Sequence, residues 1–293
     1  MSTNDELNAR ARLRAQYDSV PYPDLSADHP PQCDPATLWL HDLTTPVYLR
    51  DRQVVSKAGK VILDAGCGSG YTSLTLALAN PEARIVGVDL SEVSIRRARE
   101  RFAHYGLEDR GEFHAMALED LSRLGMAFDA INCDEVLYLL PDPPAGLGAM
   151  AAVLKPDGIL RANLHNVFAR GPMLRAQQAF QMLGLFDDRP GPEEAAAVYE
   201  TMSALDEAVY LRSHTWVSPP ALQKRTEYLL VNHLLIGDRG FSVPQMFRLL
   251  AGAGLEFLST TNWTAWELAT LFEDPAHLPA LIAEAHASAP PMV

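Results

Sequence analysis

The chain has 293 residues, with 24 Lys and Arg against 37 Asp and Glu, so its formal net charge is −13. That negative excess weighs against a general nucleic-acid binder and against a partner of anionic membranes, since both need cations to meet phosphate. Hydrophobic residues make up 48% and charged residues 21%, an ordinary globular balance, and no apolar run approaches the length of a membrane span. Cys33, Cys67 and Cys133 form no CxxC pair, so neither a disulfide framework nor a cysteine-based zinc site is expected. These numbers predict a soluble, cytoplasmic protein with enough chain for a full core, and they leave its oligomeric state open.

Residues 1–59 read as an N-terminal arm without a βα unit. Glu6 to Gln16 form a short Arg/Leu helix, which Tyr17-Asp18-Ser19-Val20-Pro21-Tyr22-Pro23 breaks. The Pro-, His- and Asp-rich stretch up to Pro35 is then extended, because each proline pushes the preceding residue out of the α region. Ala36 to Leu49 returns to a helical pattern interrupted at Pro46.

Residues 60–164 alternate strands and helices. Val61–Asp64, Arg84–Asp89, Glu112–Ala115, Phe128–Cys133 and Ile159–Asn163 are short apolar or β-branched runs. Thr72–Asn80, Glu92–Tyr105 and Pro143–Leu154 carry helical patterns between them, with Arg96, Arg97, Arg99 and Arg101 expected on wet faces and Lys155-Pro156-Asp157-Gly158 as a turn. Strand, helix, strand at this spacing predicts a Rossmann-like, doubly wound and mostly parallel sheet. Residues 165–240 are a helical excursion several times longer than an ordinary connection, so they are expected to pack as a cap inserted after the fifth strand. Residues 241–293 are expected to complete the core with a helix at Val243–Leu250, a sixth strand at Leu255–Thr260 and a final helix at Trp266–Phe272. The tail from Pro290 is expected to fray, and no seventh strand is evident.

The strongest chemical signal is Val61-Ile62-Leu63-Asp64-Ala65-Gly66-Cys67-Gly68-Ser69-Gly70-Tyr71. A strand enters three glycines at alternate positions and leaves as a helix, which lets a ligand lie against bare backbone near the helix start. The spacing is not the dinucleotide form G-x-G-x-x-G, and no Gly-Lys-Ser/Thr closes a phosphate loop. Asp64, just before the first glycine, would repel a pyrophosphate yet suit a cationic amino group. The ligand is therefore better imagined as a zwitterionic amino acid joined to a nucleoside. Asp89, ending the second strand, suits two ribose hydroxyls; the alternative is a plain helix-start residue, a role Ser91 also fits.

Val61–Tyr71, Ile85–Ser91, Phe128–Leu139 and Leu154–Asn163 together resemble the class I S-adenosylmethionine-dependent methyltransferases. The resemblance implies that Gly66, Gly68 and Gly70 hold the methionine end of the cofactor and that Asp89 holds its ribose, with Asp64, Cys67, Leu90 and Cys133 in the same cleft. Ala117 stands where the family often has an acid facing the adenine, which leaves Leu118 and Glu119 for that contact. The flanks, Tyr17–Pro23 with His29-Pro30 and Glu227–His233 running into Phe241–Leu258, resemble bacterial methyltransferases carrying a methyltransferase regulatory region, and the whole chain resembles uncharacterised cyanobacterial proteins. S-adenosylhomocysteine is then the expected product.

Candidate residues for the methyl acceptor lie at the carboxyl ends of strands four and five. Cys133-Asp134-Glu135-Val136-Leu137-Tyr138 places Glu135 near the ligand and Tyr138 beside the methyl group, or else forms an ordinary strand-to-helix turn. His165 follows the fifth strand and suits deprotonation of a hydroxyl or acidic carbon; its alternative is a surface or supporting histidine. Tyr17, in the arm, either reaches the cofactor carboxylate or simply packs. Phe168, Phe180, Phe186 and Trp216 line an acceptor pocket or form the core of the cap. His165, His214 and His233 match no compact metal motif, and no metal is expected. No Asn/Asp-Pro-Pro-Tyr/Phe motif is present, so methylation of a base amine is not expected. These residues predict methyl transfer to a small or medium-sized metabolite in a pocket closed by arm and cap. A protein side chain as acceptor, and a cofactor-binding regulatory protein without catalysis, are the alternatives.

Overall fold

The computed structural model describes residues 3–186, 189–261, 271–274 and 276–288. Its centre is a five-stranded parallel sheet in the order β3-β2-β1-β4-β5, built from β1 (Val61–Ala65), β2 (Arg84–Asp89), β3 (Gly111–Ala115), β4 (Phe128–Cys133) and β5 (Leu154–Ala162). Alternation along each strand sends neighbouring side chains to opposite faces. Leu63, Val86, Val88 and Ile131 join one apolar cluster, while Ile62, Ile85 and Phe113 join another on the other face. The crossovers α4 (Tyr71–Ala79) and α5 (Glu92–His104) pack on the second cluster, and α6 (Pro143–Val153) on the first. This is the doubly wound sheet expected, with the chain reversal between β1 and β4 opening a cleft at the carboxyl ends of the strands.

Local chemistry sets the helix ends. Ser91 caps α5 by accepting the Ser94 N–H, and Arg101 and His104 occupy the last turn, where the helix dipole favours cations. Asp142 caps α6 with prolines in its first turn. In the arm, α1 spans Thr3–Ser19, and the next helical stretch is split into α2 (Pro35–His41) and α3 (Thr44–Asp51). The break falls at Asp42-Leu43 rather than at Pro46, because Pro46 lies in the first turn of α3, where its missing N–H costs nothing.

Three further expectations need correction. Lys155–Gly158 is not a turn before the fifth strand. β5 already begins at Leu154, paired with Phe128, and the next pairing is Ala130 with Ile159, so the Pro- and Gly-bearing segment is bulged out of a continuous strand. Leu255–Thr260 forms no strand: its residues enter no ladder, and the sheet ends at β5 among the described residues. Arg101 is not on a wet face but fully buried, for a reason given below. The expected helix at Trp266–Phe272 and the tail from Pro290 lie largely outside the described residues.

Residues 165–240 are helical, as expected: α7 (Val167–Met182), α8 (Pro192–Ala204), α9 (Tyr210–Thr215), α10 (Pro220–Gln223) and α11 (Thr226–Leu230). Phe180, Val198, Met202, Leu229 and Leu230 form their core, with Phe186 and Trp216 packed against it, whereas Phe168 is exposed. The chain returns through a single parallel bridge between Asn166 and Phe241 into α12 (Val243–Gly252). Residues 256–293 form a second unit, whose described part is irregular before α13 (Ala280–Ser288). Among the described residues no helix is long and apolar enough to cross a membrane.

Candidate active site

Three loops meet at the carboxyl ends of β1, β4 and β5. The first is the glycine turn. Gly66, Gly68 and Gly70 all have left-handed φ, at 82°, 52° and 77°, a conformation that L side chains adopt at a cost. Space is equally restrictive: a Cβ on Gly70 would come within 2.7 Å of that of Ala98, and one on Gly68 would collide with the Tyr22 carbonyl. The turn is anchored by the N–H groups of Gly66 and Cys67, which donate to the Val88 carbonyl at 2.7 and 3.0 Å.

Asp89 stands over this turn. Its Oδ2 accepts the Gly68 N–H at 3.0 Å and its Oδ1 the Ser91 N–H at 2.8 Å. Burial raises its pKa, backbone N–H bonds from Ser91, Gly68 and Leu90 oppose that rise, and no cation pairs with it among the described residues. The carboxylate therefore keeps acceptor capacity for a further donor. Asp89 also does not compete for the helix-start role, because the Ser91 hydroxyl fills it.

Asp64 is placed differently. It is 2% exposed, with Oδ2 accepting from Ser73 Oγ at 2.6 Å and Oδ1 from Asn132 Nδ2 at 2.7 Å. Burial pushes its pKa up to about 6. The carboxylate is taken up in joining β1, β4 and α4. Cys67 and Cys133 turn their side chains into the two apolar clusters, the Cys67 thiol also donating to the Gly68 carbonyl at 3.7 Å, and burial pushes the Cys133 thiol up to about 12. Leu118 is likewise a core side chain, Glu119 pairs with Arg10 at 3.0 Å, and Leu90 packs on the apolar cluster that contains Tyr138 and Leu139.

The N-terminal arm lies on the glycine turn. Ser69 donates its N–H to the Tyr22 carbonyl at 3.1 Å and its hydroxyl to the Pro23 carbonyl at 2.8 Å. Arg101 donates to the carbonyls of Ser69, Leu25 and Ser26 at 3.0–3.1 Å, which is why a guanidinium can be buried there. Upstream, α1 crosses the same edge through Arg14 to Glu92 and Ser91 to Asp18. Tyr17 is enclosed at this crossing, and burial, with Asp89 and Glu135 nearby, raises its pKa.

The second and third loops bring Glu135, Tyr138 and His165 together. Glu135 has a left-handed φ of 58°, a strained setting for a non-glycine residue. Asn163 holds it there: its Oδ1 accepts the Glu135 N–H at 2.6 Å and its Nδ2 donates to Oε1. The Tyr138 hydroxyl donates to Glu135 Oε2 at 2.7 Å, and the tyrosine ring stacks on His165 with centroids 3.6 Å apart. His165 sets Nε2 3.2 Å from Glu135 Oε2 and Nδ1 2.7 Å from Asp238 Oδ1. Burial disfavours its charged form, but the bonds to Asp238 and Glu135 outweigh this and raise its pKa. The Glu135 carboxyl is held below its ordinary value despite burial by His165 and Tyr138.

Asp238, Asn163, Arg170 and Gln177 were not among the residues expected here. Asn163 was within reach of sequence reasoning, since it precedes His165 by two residues at the same strand end. Asp238 was not, because it arrives from the far end of the cap, 73 residues along the chain.

Residues 56–223 match the family model described as a methyltransferase domain, and the chain belongs to that family. An uncharacterised protein of Synechococcus is 29% identical over 89% of this chain, and the ubiquinone biosynthesis O-methyltransferase of Chromobacterium violaceum 32% identical over 44%. The chain spans 62% and 55% of the length of these relatives. Among solved structures, PKMT2 from Rickettsia typhi in complex with AdoHcy superposes with a TM-score of 0.61 at 20% identity, covering 83% of this chain and 48% of that one. The fold is that of the class I methyltransferases.

Proposed function

We propose that the chain transfers a methyl group from S-adenosylmethionine to a small-molecule acceptor, releasing S-adenosylhomocysteine. The observation that carries this reading is Asp89: a carboxylate at the end of β2, fixed by backbone N–H groups beside a left-handed glycine turn and without a cation partner among the described residues. Two vicinal hydroxyls of a ribose supply the donors that its oxygens lack. Family membership and the AdoHcy held by the Rickettsia protein support the same cofactor. S-adenosylmethionine would supply there a methyl group on a positively charged sulfur, ready for direct displacement. The chain's own contribution is to orient the two reactants and keep water out. Gly66, Gly68 and Gly70 offer backbone for the amino-acid end. The arm, through Tyr17 and Tyr22, and the cap close the mouth around Glu135 and His165.

Calorimetric titration of dialysed protein with S-adenosylmethionine, S-adenosylhomocysteine and NADH tests the reading. Micromolar binding of the first two and none of NADH is expected. Absence of S-adenosylmethionine binding in folded, ligand-free protein overturns it, and binding without methyl transfer to any metabolite marks a cofactor-binding protein without catalysis.

A further inference from the structure

Asp238 is fully buried at its side chain, and three groups converge on it: His165 Nδ1 at 2.7 Å, Arg170 Nε at 2.8 Å and Gln177 Nε2 at 2.8 Å. Gln177 is itself fixed by the Asn232 carbonyl at 2.6 Å, and Arg170 reaches Asn232 Oδ1 at 3.3 Å. The approach of Asp238 requires Gly237, whose φ of 82° is left-handed and whose absent side chain leaves room for the Leu139 carbonyl. So rigid a mounting for one carboxylate has a consequence on the far side of the imidazole. With Nδ1 held by Asp238, the ring is oriented so that Nε2 faces Glu135, which is 57% exposed at the mouth.

We infer that Asp238 is a positioning residue that locks His165 against Glu135, and that the three form an acid–base relay for an acceptor entering as a neutral O–H group. The inference rests on the methyl-transfer reading of this cleft. The acceptor oxygen bonds the methyl carbon as its O–H bond breaks, and the carbon–sulfur electron pair stays with sulfur. The proton passes to Glu135 Oε2, beside the His165 ring that Asp238 fixes from its other nitrogen. It returns to water through exposed Glu135. Around the relay, Glu135 and Asp238 stand against His165 and Arg170. Tyr138 and Tyr17 also face this group, as hydroxyls whose pKa values are raised and which stay neutral.

The relay can be tested without knowing the acceptor. In full-length protein labelled with 15N-histidine, with the His165 signal assigned through His165→Gln, a pH titration is expected to show a His165 midpoint above 6.5. Asp238→Asn should lower that midpoint by about one pH unit or more, because a carboxylate partner becomes a neutral one. Glu135→Gln, at the exposed end, should lower it by less and guards against a failure of the buried variant to fold. A wild-type midpoint at or below 6.5, or one unmoved by either variant, overturns the relay. Calorimetry with S-adenosylmethionine on the same samples separates that result from a failure of the cofactor reading, since neither variant touches Asp89 or the glycine turn.

Discussion

Asp89 is held by backbone N–H groups, those of Gly68 and Ser91 foremost, and its remaining hydrogen-bonding capacity is free for whatever enters the cleft. If ribose hydroxyls meet it there, Asp89→Ala should weaken S-adenosylmethionine binding by about 1.5–3 kcal/mol, the usual worth of hydrogen bonds to a charged group, or roughly tenfold to a hundredfold in Kd. Calorimetry measures this directly, and unchanged affinity would remove the assignment. The position of Asp89 was legible in the sequence because a strand end is a local feature. The fate of Asp64 was not. Both acids close an apolar strand run, but Asp64 sits where Ser73 of α4 and Asn132 of β4 reach it, and no property of its own segment reveals those partners.

The same distinction recurs for elements. The proline-stiffened arm was recognisable as a segment outside the sheet, yet its seat on the glycine turn is made by contacts from three places: Ser69, Arg101 and the α1 crossing at Ser91. Arg101 is the keystone, since it joins the turn to Leu25 and Ser26 by three bonds to backbone carbonyls. Arg101→Ala should leave three carbonyls without their charged donor and lower stability by about 2–3 kcal/mol. Limited proteolysis should then cut between residues 20 and 30 faster than in the wild-type protein, while the sheet resists. An arm that stays protected in this variant would show that α1 alone seats it. Helical periodicity placed the four arginines of α5 on wet faces, and for Arg101 it misled: backbone carbonyls of another segment can satisfy a buried guanidinium as well as water does.

On the scale of the molecule, the cap has its own core, and that core contains a liability. His233 is fully buried, in edge contact with Phe180 and Trp216, and neither ring nitrogen has a hydrogen-bond partner among the described residues. Burial, with Arg170 nearby, pushes its pKa from 6.5 down to about 4. The unfolded chain therefore takes up a proton below pH 6.5 that the folded chain refuses until about pH 4. Stability should fall across that window as pH falls, by up to about 3 kcal/mol. Asp64, raised to about 6, acts in the opposite sense, because it is protonated in the fold before it is in the unfolded chain. Comparing denaturant unfolding of wild type and His233→Leu between pH 7 and pH 4 cancels that opposing contribution. The variant should lose less stability on acidification, and parallel curves would show that His233 is not the acid-sensitive group.

The amino-acid sequence by itself determined the alternation of strands and helices from β1 to α6, the glycine turn, the strand-end acid Asp89 and the helical character of residues 165–240. All of these follow from local rules: the two-residue period of a strand, the 3.6-residue period of a helix and the freedom of glycine at positive φ. Only the tertiary structure decided that the sheet stops at β5 among the described residues, that the Lys155–Gly158 segment bulges within a strand, and that His165 meets Asp238 across 73 residues. Those outcomes depend on which distant groups the folded chain brings within hydrogen-bonding distance, and a partnership of that kind leaves no periodicity in either segment that forms it.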